Sequence, residues 1–312
     1  MSVATISHLF RAGPRRALPR TCRPAQDETT GSYLLRLGST NRITGADLID
    51  YLTAGTSQSI DKVSLAALAT ASGQPPLALA YALPQLRPQH PDHPTMARRG
   101  RTLPAKPNTV RPACRRCAAV HTTAERIDIW HRHEHNICLR HRLWTGPGAD
   151  HPRDQVNLAT HPDIVHAQVR HLHLIRRHDR GIAHTAYRTA RLIWETLTNR
   201  GWGLPHAIVR DIPLPAGFGH HNWPADARDP VHAAATYPEV ITLTQMLVAP
   251  HWRPFAMSAS TADHDRFRAE FQRRLPPAHR DLANTNLQTL ATVRHAPVGH
   301  WHQPAAEVAG ER

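Results

Sequence analysis

Apolar positions along the chain form short helical stripes separated by proline-rich gaps. In DETTGSYLLRLGSTN, Tyr33, Leu34 and Leu37 share one face at helical spacing. Asp27 stands where an N-cap belongs, and Glu28 favours the positive end of the helix dipole. A second helical stretch covers Gly45–Leu52. In VSLAALATASGQPPLALAYALPQL, Ala69 and Gly73 are four apart and Leu79 follows six later. That is helix-turn-helix spacing: a small residue where helices touch, a glycine for the turn, then a buried apolar residue.

The second half of the chain is also helical in pattern. THPDIVHAQVRHLHLIRR predicts an apolar face of Val165, Val169 and Leu172, and AHTAYRTARLIWETLTN one of Ala186, Ile193 and Leu197. A breaker-rich stretch then leads to TYPEVITLTQMLV, where Thr236 and Glu239 are spaced as a capping box ahead of Val240, Ile241, Thr244 and Leu247. The pattern divides the chain into a flexible basic arm (1–26), a helix-turn-helix-like helical domain (27–86) and a proline- and arginine-rich linker (87–112). A cysteine-bearing segment (113–150), a C-terminal helical domain (151–297) and a loose tail (298–312) follow. The expected fold class is mainly α: small helical domains with a small zinc-ribbon-like segment.

Composition narrows the function. The 312 residues carry a formal charge of +14, with lysine only at Lys62 and Lys106, so the positive charge is nearly all arginine. Such a balance favours polyanions, nucleic acid first. No apolar run approaches the roughly 18–20 residues that span a bilayer, and arginines interrupt the first residues before a signal-peptide core can form. The expectation is a cytoplasmic protein without membrane association. In a reducing compartment its cysteines read as metal ligands rather than as a disulfide framework.

CRRCAAVHTTAERIDIWHRHEHNICLRH carries that chemistry. Cys114 and Cys117 form a CxxC knuckle, and Cys138 and His141 repeat the spacing as CxxH. Two such pairs supply the four ligands of a tetrahedral Zn²⁺ with no open position, which makes a structural site. His131, His133 and His135 are alternative nitrogen donors, less favoured than His141. HEHNI departs from the HExxH of zinc proteases, because Ile137 stands at the second histidine position. No triad, phosphate loop or carboxylate cluster points to an enzyme, so a zinc hydrolase is the weakest of the function classes.

Two segments together resemble the TniQ family of transposition target-selection proteins. Glu28, Thr29, Ser32, Tyr33, Leu34, Arg36, Leu37 and Asn41 match the family's opening helix. Cys114, Cys117, Trp130, Cys138, His141 and Leu143 match its zinc segment. Arg115 and Leu139 stand where the family often has proline, and no further cysteine follows the histidine. The resemblance implies a non-enzymatic adaptor that binds double-stranded DNA and recruits an AAA+ transposition ATPase, and through it a transposase. The alternative is a freestanding zinc-containing DNA-binding regulator. Expected DNA contacts are Arg11, Arg15, Arg16 and Arg20 on the arm, Arg98, Arg99 and Arg101 in the linker, and Arg115 and Arg116 in the knuckle. The charge between Arg170 and Arg180 adds to them, and Gln74 and Tyr81 are the base-reading candidates on the second helix of the helix-turn-helix.

Overall fold

The computed structural model describes residues 13–89, 110–121, 125–199, 212, 229–277 and 280. Arg11, Arg98, Arg99, Arg101, most of the linker and the tail lie outside the described residues. The chain divides into two compact units, the first running to Val156 and the second starting at Asn157. Both are mainly helical, and among the described residues the few strands are short and lie in the first.

The first unit opens with α1 (Thr30–Asn41) and α2 (Gly45–Leu52), followed by α3 (Leu65–Ser72) and α4 (Pro76–Ala82). Thr29 caps α1 by accepting from Ser32 N–H, and Ser64 caps α3 by accepting from Ala67 N–H. Asp27 therefore does not cap α1. It adopts a left-handed φ of 57° and pairs with Arg87 at 2.8 Å and Arg132 at 3.2 Å. Glu28 is fully buried against Arg36, which donates two hydrogen bonds to it at 2.7 and 2.8 Å. Its carboxylate also accepts from Ser32 Oγ and Ala25 N–H, so its lone pairs are met and the buried charge is tolerable.

Tyr33, Leu34, Leu37, Leu48, Leu68, Leu79 and Leu83 make one apolar core over these helices. Gly73 ends α3 at φ 65°, a conformation that glycine adopts without a Cβ clash, and its N–H reaches Ala69 O. Residues 13–26 were expected as a flexible arm, but they lie against this core. Leu18 N–H donates to Ala71 O at 2.8 Å, Asn41 binds both backbone groups of Arg20, and Leu18 and Cys22 pack on the apolar cluster.

Strands β1 (Val110–Pro112) and β2 (Asp128–Trp130) pair antiparallel, as do β3 (Ile137–Cys138) and β4 (Leu143–Trp144); α5 (Arg115–Ala118) lies between β1 and β2. This module is continuous with the helices rather than a domain beyond a linker. Thr29 N–H donates to Asp128 O, Trp130 N–H to Asp27 O and Asp128 N–H to Ser32 Oγ. The module also runs past residue 150: Trp144 N–H donates to Val156 O at 2.9 Å.

The second unit contains α6 (Pro162–Arg177), α7 (Arg180–Asn199), α8 (Pro230–Ala235), α9 (Tyr237–Val248), α10 (Arg253–Met257) and α11 (Thr261–Arg274). Helix α9 packs on α7 and α6. Ala183, Ala186 and Ala190 are fully buried on α7, and their small side chains let the helices approach closely. The buried face of α6 is not the predicted one: Ile164, Ala167, Gln168, His171 and Leu174 are buried, whereas Val169 is exposed. Tyr237 accounts for the difference. Its hydroxyl lies 2.8 Å from His171 Nδ1 and donates to Gln168 Oε1 at 3.2 Å, so polar side chains face inward with partners. The expected capping box is absent too, since Thr236 donates its hydroxyl back to His232 O and makes no cap bond.

Candidate metal centre

Each knuckle is a tight turn fixed by its own backbone. Cys114 immediately precedes α5, and its carbonyl accepts from Ala118 N–H at 2.8 Å. Cys138 ends β3, and its carbonyl accepts from His141 N–H at 3.2 Å and Arg142 N–H at 2.7 Å. Arg142 takes a left-handed φ of 51° to turn the chain into β4. Trp144 anchors the hairpin from below, its indole N–H donating to Pro147 O. A Cβ on Gly146 would meet the Trp144 ring at 2.7 Å, so only glycine fits there.

Gln155 is the positioning residue that the sequence pattern did not reveal. It is fully buried; its amide donates to Ala113 O at 2.8 Å, and its carbonyl accepts from Arg115 N–H at 2.8 Å. Both peptides flanking Cys114 are thereby held by one side chain. An isolated glutamine in a polar stretch gives no signal by itself.

The four predicted metal residues come together. The ligand atoms of Cys114, Cys117, Cys138 and His141 lie within 4.8 Å of one another. His141 presents Nδ1, at 3.5, 3.3 and 3.7 Å from the Sγ atoms of Cys114, Cys117 and Cys138, and the Sγ atoms of Cys117 and Cys138 are 3.7 Å apart. A tetrahedral zinc ion with its usual bond lengths sets edges of about 3.8 Å between sulfurs and about 3.5 Å between sulfur and nitrogen. The donor set and its spacing fit a four-coordinate ion. His131, His133 and His135 are not part of the cluster.

Electrostatics within the cluster point the same way. The hydrogen bond between Cys114 and Cys138 raises the Cys114 thiol, with burial adding to it, and holds Cys138 down to about 4. Burial first, and then the charge of Cys138, raises Cys117. Three sulfurs this close cannot all ionise alone; a divalent cation removes that repulsion.

The expected DNA contacts are scattered over the first unit. Arg15, Arg16 and Arg116 are exposed, Arg115 is half-buried with its guanidinium donating to Pro152 O, and Tyr81 is exposed with its carbonyl accepting from Arg87. Ala17 and Thr21 lie beside the Gly73 turn, next to which half-buried Gln74 sits in the chain. Gln85, another polar side chain near α4, accepts from Thr30 N–H. No helix among the described residues is long and apolar enough to cross a membrane.

No curated protein and no solved structure matches the chain. The model of the TniQ family matches residues 19–144, a range that contains α1–α4 and all four cluster residues. Over these residues the chain is similar to the TniQ family.

Proposed function

We propose that the chain is a non-enzymatic, DNA-binding adaptor that selects or marks target DNA for transposition and recruits an AAA+ ATPase, through which a transposase is directed. The family match ties the chain to transposition in general. The single observation that carries the finer reading is that the two family segments form one unit: the entry to α1 and strand β2, which lies between the knuckles in the chain, share backbone hydrogen bonds at Thr29–Asp128 and Asp27–Trp130. Such an assembly is suited to presenting an adaptor surface, and it works in the cytoplasm, where the DNA is.

Cys114, Cys117, Cys138 and His141 would hold one Zn²⁺. When bound, the ion closes the module as a cross-link and leaves no position for substrate. DNA affinity rests on phosphate contacts by Arg15, Arg16, Arg98, Arg99, Arg101, Arg115 and Arg116. Gln74 and Tyr81 are the candidates for touching bases through the helix-turn-helix-like pair α3 and α4, although Leu77 beside them on α4 is exposed and apolar.

Retention of random genomic fragments on the zinc-loaded protein, repeated across salt concentrations, tests the reading. About six phosphate contacts give a slope of log K against log salt near −5. A flat response rejects DNA binding. Failure to retain the AAA+ ATPase encoded beside a transposase rejects the adaptor role.

A further inference from the structure

Ion pairing divides the arginines of the metal module into two groups. Arg111 pairs with Asp150 at 2.8 Å, Arg126 with Asp128 at 2.7 Å, Arg132 with Asp27 at 3.2 Å and Arg153 with Asp154 at 3.8 Å. Arg115 donates to Pro152 O. Arg116, Arg140 and Arg142 are exposed and have no acidic partner among the described residues.

All three of these adjoin a cluster residue. Arg116 precedes Cys117, Arg140 lies between Cys138 and His141, and Arg142 follows His141. Because the ligand atoms of both knuckles lie within 4.8 Å of one another, the segments that carry these arginines converge on one centre. The carriers are stiff: α5 on one side, and on the other a turn closed by two hydrogen bonds to Cys138 O.

Internal charge balance does not use up these arginines. Three thiolates, a neutral imidazole and a divalent ion sum to one negative charge, which a single arginine offsets. Nearby carboxylates are engaged elsewhere: Asp128, Asp150 and Asp154 pair with other arginines, and Glu134 is buried. Excess positive charge on a rigid, exposed turn is suited to an anionic partner. Planar guanidinium forks match phosphate oxygens, and a duplex offers a phosphate about every 1.7 Å of its axis.

We propose that Arg116, Arg140 and Arg142 form a phosphate-binding rim around the metal centre, through which the module grips the backbone of duplex DNA. The rim rests on the DNA-binding reading above and assigns it a place. It positions the protein on DNA without reading sequence.

The test uses the full-length, zinc-loaded chain and random-sequence duplex DNA, with fluorescence anisotropy across a salt series. The R116Q/R140Q/R142Q variant should flatten the slope of log K against log salt by nearly 3, at about 0.9 per contact. Its zinc content and thermal midpoint should equal those of the wild type. A triple lysine variant should restore the slope, since charge count sets it. A control triple of exposed arginines in the second unit, R188Q/R266Q/R280Q, should leave the slope in place.

An unchanged slope in the rim variant overturns the proposal, as does an equal loss in the control. Loss of AAA+ ATPase binding with the slope intact also overturns it, making the rim a protein-docking surface instead. A flat wild-type salt response is a different failure: it removes DNA binding itself, not merely its location.

Discussion

The helical core of the first unit and the metal module beside it are held together by opposite means. Around α1–α4, seven large side chains from Tyr33 to Leu83 are buried to 1% exposure or less, and apolar burial supplies the stability. The metal module buries smaller groups: Ala25, Ala113 and Ile127 beside the first knuckle, with Ala118 and Ile129 partly buried on them, and Ile137, Leu143, Trp144 and Val156 at the β3–β4 hairpin. Its strands of two or three residues add few ladder hydrogen bonds to that burial. One ion held by the four cluster side chains would add a cross-link to this burial. The difference teaches that the two halves of one compact unit should fail under different insults.

The largest expected effect tests this directly. Cys117→Ser, or a chelator, should remove the ion and unfold the module from Val110 to Val156, a local loss on the order of 10 kcal/mol. Hydrogen exchange should rise in β1–β4 while α1–α4 keep their protection. Simultaneous loss of protection in α1–α4 would break the comparison.

Next in size is the buried ion pair. Glu28→Gln leaves the Arg36 charge without its partner at zero exposure and should cost about 3–5 kcal/mol, measured by urea denaturation followed through helix content. Adding Arg36→Met should recover part of that loss. No recovery would mean that Arg36 matters through its bond to Arg23 O instead.

A pH dependence separates the module from the core. Burial, with the charge of Arg111 behind it, holds His131 down to about 3, against about 6.5 for a free imidazole. A depressed folded pKa means that the folded state binds fewer protons, so this contribution is complete above pH 6.5. It is lost as pH falls from there towards 3, amounting to about 1.4 kcal/mol by pH 5.5. The urea midpoint measured at pH 7.5 and 5.5 should fall less in His131→Asn than in the wild type; zinc release affects both and cancels. An identical fall would exclude His131 as the source.

The smallest effect belongs to the helical side. Ser64→Ala removes the cap of α3 and should cost about 1 kcal/mol without changing zinc content. Coupled metal loss would show that the two parts are less independent than their cores suggest.

What was legible in the sequence follows from the range of the interactions involved. CxxC and CxxH place two ligands each within one turn, so spacing alone marked Cys114, Cys117, Cys138 and His141. Gln155 acts on a knuckle about forty residues before it and left no local trace. Likewise Asp27 read as a cap from its neighbours, yet its partners are Arg87 and Arg132, which only the folded chain brings near.

By itself, the sequence determined the helical class, the Gly73 turn, the four residues of the Cys/His cluster and the likeness to the TniQ family, because each is written in residue type and short-range spacing. Tertiary structure alone decided that residues 13–26 lie on the core, that helices and knuckles make one unit, and that α6 turns His171 and Gln168 inward. A polar side chain is buried only where a distant partner meets its hydrogen bonds, as Tyr237 does here, and no local pattern records where that partner will be.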